Sequence, residues 1–106
     1  MADDIDRSKR LDLQDAINAA EHAISDHIDH AQDQMHRLYR RIHPDKLQAD
    51  LDALENMRAR LAGHFRTAEN SKLSNNELKT VLEHMEGIHA EVRTFLKERL
   101  DPSASR

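Results

Sequence analysis

The chain has 106 residues, one domain's worth, with 38% hydrophobic and 34% charged residues and a formal net charge of −4. That charge, with acids and bases alternating along every segment and only one Tyr and two Phe, argues against a nucleic-acid binder, which needs a basic stripe or stacking rings. The absence of cysteine excludes disulfides, thiolate metal sites and cysteine nucleophiles.

Two Gly and two Pro in so long a chain favour long helices over a sheet. No apolar run approaches the ~20 residues that span a bilayer. The segment Met1–Arg10 lacks the apolar core of a secretory signal, so a cytoplasmic protein is expected. Residues 1–9 are expected to be a flexible N-terminal segment, and residues 10–100 the folded part.

The first helix is predicted over residues 10–42. Its apolar positions are Leu13, Ile17, Ala20, Ile24, Ile28, Ala31, Met35, Leu38 and Ile42, at alternating spacings of three and four that share one face. An eleven-residue recurrence, Leu13–Ile24–Met35 and Ile17–Ile28, keeps that stripe nearly straight along the axis. Pro44 ends the helix by biasing His43 out of helical geometry. Asp45 then fits an N-cap, with Gln48 three residues on. So short a connection makes the first two helices an antiparallel hairpin.

The second helix is predicted over residues 46–69. Leu47, Leu54, Leu61 and Ala68 recur every seven residues, with Leu51 and Phe65 between them, as in coiled-coil-like packing. Ser74 and Glu77 form a capping box for a third helix over residues 75–100. Its stripe of Leu78, Val81, Leu82, Met85, Ile88, Val92, Phe95 and Leu96 is wide, as for a helix lodged between two others. Residues 101–106 read as a disordered tail. The fold expected is all-α: an elongated antiparallel three-helix bundle with a long first helix.

Helix lengths of about 50, 36 and 39 Å follow from ~1.5 Å per residue. Folded back from Pro44, the second helix ends beside roughly residue 18 of the first. Leu11, Leu13 and Ile17 are then expected to project as an exposed apolar stripe, a typical interaction surface. His27 lies ~60° from Ile24, beside the seam, where a polar side chain either sets register or partner choice or, as is more common, packs its ring at the boundary with a nitrogen toward water. Leu11, Leu13, Ile17 and His27 are the partner-binding candidates.

Tyr39-Arg40-Arg41-Ile42-His43-Pro44-Asp45-Lys46 resembles the His-Pro-Asp turn of J-domain co-chaperones, which follows a basic helix that often carries a Tyr. The likeness is confined to these residues. That family's earlier Tyr-Leu helix has no counterpart here, and its loop after the tripeptide is longer. Pro44 and Asp45 are read instead as helix breaker and cap.

Eight histidines raise the question of metal. His22, Asp26 and His30 are four apart on one helical face, and Glu86-x-x-His89 has the spacing of di-iron bundles. Taking Ile24 as the centre of the apolar face, His22 and Asp26 lie about 160° away and His30 about 120° away, toward water. These five residues are therefore weak metal candidates, and no cofactor is expected. No Gly-rich phosphate loop or nucleophile elbow occurs. The function expected is a non-enzymatic protein–protein interaction module, an adaptor, regulator or assembly subunit, that binds a protein partner or its own copy as a homo-oligomer, not nucleic acid or membrane. The alternative is a metal-binding helical bundle.

Overall fold

The computed structural model describes residues 2–100 and contains three α-helices: α1 (Ala2–Tyr39), α2 (Pro44–Ala68) and α3 (Asn75–Leu100). They pack pairwise into an elongated bundle. A helix of 38 residues is about 57 Å long at ~1.5 Å per residue, so α1 sets the 61 Å long axis of a molecule only 24 × 16 Å across. None of the described helices is long and apolar enough to cross a membrane.

The predicted stripes form the core. Ile17, Ile24, Ile28, Ala31 and Met35 of α1 are buried, as are Leu54, Leu61 and Ala68 of α2 at their seven-residue spacing. Seven residues of α3, Leu78, Val81, Met85, Ile88, Val92, Phe95 and Leu96, are buried as well, because α3 meets both other helices. The Ser74–Glu77 capping box forms as expected. The Ser74 amide donates to Glu77 Oε1 (3.1 Å), and the Glu77 amide donates to Ser74 Oγ (3.2 Å).

The ends of α1 differ from expectation. Residues 2–9, expected to be flexible, are helical. No Gly or Pro interrupts them, and their helix is fastened further on by Asp6 and Arg10. At the other end α1 stops at Tyr39, three residues short of Ile42. The chain must leave helical geometry before Pro44, and it does so through a tight turn in which the amides of Ile42 and His43 both donate to Tyr39 O (3.1 and 2.9 Å). The buried residue of that last turn is Tyr39, in place of the expected Leu38. Its ring lies edge-on to His43, and Lys46 Nζ sits 4.9 Å from its centroid. Asp45 is not the N-cap. His43 occupies that position without a side-chain bond, Pro44 fills the first helical position, and Asp45 is an acid of the first turn. Residues 101–106, read as a tail, lie outside the described residues.

Polar contacts lock the helices in register. Arg58 of α2 donates to Ser25, Asp29 and Gln32 of α1. Arg60 of α2 grips both carboxylate oxygens of Glu91 on α3 (3.2 and 2.6 Å). Asp50 is buried in α2, and Arg99 Nε donates to its Oδ2 at 3.2 Å while the guanidinium stacks 3.6 Å from the Phe95 centroid.

Candidate functional site

The first helix does not carry the overhang expected at its N-terminal end. Ile17 is 2% exposed, Leu13 is half-buried against the core, and of the three only Leu11 is open to solvent. The cause is the α2–α3 connection. After Ala68 the chain continues alongside α1 before turning back. The Arg10 guanidinium donates to the carbonyl oxygens of Leu73, Asn70 and Ser71, and the Asn75 side-chain amide donates to Asp6 O (3.0 Å). Leu73 packs onto the same end of the core. Leu11 lies about 140° around the helix from Ile24 and is a single exposed leucine among polar residues. Leu73, an apolar residue in a polar loop, was the overlooked sign that the connection covers something.

His27 is half-buried, as its position beside the seam implied, but what it meets is internal. Its Nδ1 lies 3.0 Å from Nε2 of His89 on α3, with the rings edge-to-face at 5.1 Å between centroids. His30 stands 6.4 Å away on the next turn of α1. Burial is the main reason the pKa values of His27 and His89 fall below the usual value; the guanidinium of Arg93 and the neighbouring imidazoles add to it. His64 of α2 and His84 of α3 form a second interhelical pair, at 5.2 Å between ring centroids, which sequence spacing gave no reason to connect.

The metal candidates are not assembled into a site. His22, Asp26, His30 and Glu86 are exposed, and among the described residues no three His, Asp or Glu side chains converge in a way that holds a metal ion. His89, the other weak candidate beside Glu86, meets His27.

The early end of α1 leaves a different apolar surface open. Leu38 is 37% and Ile42 71% exposed, although both belong to the apolar periodicity of the first helix. Had the helix continued, Ile42 would sit one turn above Leu38 on the core side. The turn after Tyr39 instead swings it outward. Asp33, His36, Arg37, Arg40 and Arg41 surround the two side chains in a shallow depression. Arg37 is neutralised by Asp33 at 3.1 Å. Among the described residues Arg40 and Arg41 have no carboxylate within ion-pair distance. Leu100, at the C-terminus of α3, is exposed at this same end of the bundle, as the Asp50–Arg99 contact requires. The corner is thus apolar at its centre and basic at its rim.

Fold and surface together define the class: an antiparallel three-helix bundle with two histidine seams and an open apolar–basic corner. No family model, no curated protein and no solved structure matches the chain.

Proposed function

We propose that the protein is a non-enzymatic interaction module that binds a protein partner through the exposed apolar surface at the C-terminal end of its first helix and in the turn that follows. The binding element is the corner of Leu38 and Ile42. The observation that supports it is the exposure of these two large apolar side chains inside a rim that carries Arg40 and Arg41, neither paired with a carboxylate among the described residues. Apolar side chains set in a polar rim are the usual anatomy of a protein-binding patch. The arginines supply selectivity for an acidic partner and speed its approach.

The same rim opposes pairing of two such corners, because it would bring like charges together. The occupant proposed is therefore a segment of another protein, with apolar side chains flanked by Asp or Glu. Selection of a displayed random-peptide library on the intact chain, counter-selected on Leu38→Glu/Ile42→Glu, tests this. The expected yield is peptides combining an apolar pair with acidic flanks. Peptides that bind both proteins equally would overturn the assignment.

A further inference from the structure

α3 meets each of its neighbours through a pair of histidines. Five residues apart on α3, His84 and His89 lie about 140° from each other around the helix, on either flank of its core stripe. His89 faces His27 of α1 and His84 faces His64 of α2. We propose that these two pairs form an acid-operated release for α3: above about pH 6.5 neutral imidazoles meet across the seams, through a hydrogen bond in His27–His89 and ring contact in His64–His84, and protonation drives the seams apart.

The geometry dictates the response. At 3.0 Å one of the two facing nitrogens, His27 Nδ1 or His89 Nε2, carries a proton and the other accepts it. A first added proton goes to a ring nitrogen outside the contact and leaves this bond in place. A second leaves two N–H groups pointing at each other and two positive rings 5.1 Å apart. The surroundings add to the cost. His30 from α1 and Arg93 from α3 are the other charged or chargeable groups acting on the pair. From α2, Arg58 is already engaged with Asp29 and Ser25. At the other seam Arg60 acts on His64 from its own helix, although Glu91 of α3 holds and partly offsets it. His64, like His27 and His89, is half-buried and has a pKa lowered first by burial.

Groups whose pKa is lower in the folded chain than in the unfolded one stabilise the fold above the unfolded value, near 6.5, and that contribution is lost as pH falls toward the folded value. The release therefore operates from about pH 6.5 downward. A metal ion is not favoured in place of the protons, because only two ligands converge and Arg93 stands beside them.

The test compares urea unfolding at pH 7.5 and 5.0 for the intact chain, for His27→Gln/His64→Gln, and for the exposed control His22→Gln/His36→Gln. The intact chain and the control should lose on the order of tenfold more in folding equilibrium constant per pair than the seam variant, the size of one close like-charge contact in a hydrated seam. Equal losses in all three would overturn the proposal. A second measurement does not depend on the variant folding. Ring-proton NMR of the intact chain should show His27, His89 and His64 titrating below the usual histidine value, near 6.5. Titration of these three at or above the usual value would also overturn it.

Discussion

Asp50 Oδ2 accepts a hydrogen bond from Arg99 Nε at 3.2 Å, and this joins the first turns of α2 to the last turn of α3 at the end of the bundle that carries the open corner. Asp50 has 7% of its side chain exposed and Arg99 27%, so the acid depends on the base more than the reverse. Removing the base strands a buried carboxylate. Arg99→Ala should cost about 3 kcal/mol in urea unfolding, the lower end of the range for broken buried pairs because the guanidinium still reaches water. Asp50→Leu/Arg99→Leu should recover most of that loss, since no charge is left unpaired.

Arg10 does a different job. Its guanidinium gathers three carbonyls of the α2–α3 connection, beyond the end of α2 at Ala68. Arg10→Ala should destabilise the protein by about 1–2 kcal/mol. Hydrogen exchange should quicken first in the amides of residues 72–74 and in the first turns of α1. Uniform quickening across the bundle would mean that the arginine does not hold this loop.

Leu11 and Ile17 should behave in opposite ways. Leu11→Glu replaces an exposed side chain and should change stability by less than about 0.5 kcal/mol. Ile17→Glu buries a carboxylate without a partner and should unfold much of the protein, as circular dichroism would show. An Ile17→Glu protein that kept its full helicity would contradict the burial described here.

Ser74→Ala removes one half of the capping box and should cost about 1 kcal/mol, with the loss confined to the start of α3. Thermal unfolding measures the total, and amide exchange at Asn76 and Glu77 its location.

The architecture was legible because apolar periodicity is a local signal. Ile24, Ile28 and Met35, Leu54 and Leu61, and Met85 and Ile88 all stand where their spacing put them. The third helix was readable to the residue because Ser74 and Glu77 mark its start. What periodicity could not show was which apolar residues would remain covered once the chain turned. Leu38 and Ile42 carry the same pattern as Met35, but Tyr39 takes the buried place in the last turn of α1 and the turn before Pro44 carries Ile42 away from the core. Ile17 lost its apparent exposure at an end of the bundle that is closed by Leu73 and its loop, far from it in sequence and held by Arg10. The histidine seams are likewise long-range. His27 could be placed beside the core from its helical angle, but its partner His89 lies 62 positions away.

The most direct test of the proposed binding corner is the affinity of an acidic, apolar peptide from the displayed-library selection, measured by fluorescence anisotropy with the intact chain and with Leu38→Glu/Ile42→Glu. The peptide should bind the double variant at least about tenfold more weakly, a loss of ~1.4 kcal/mol. Its affinity for the intact chain should also fall as salt is raised, because the arginine rim is exposed. Equal affinity for both proteins, with no dependence on salt, would contradict the assignment of Leu38 and Ile42 as the binding surface.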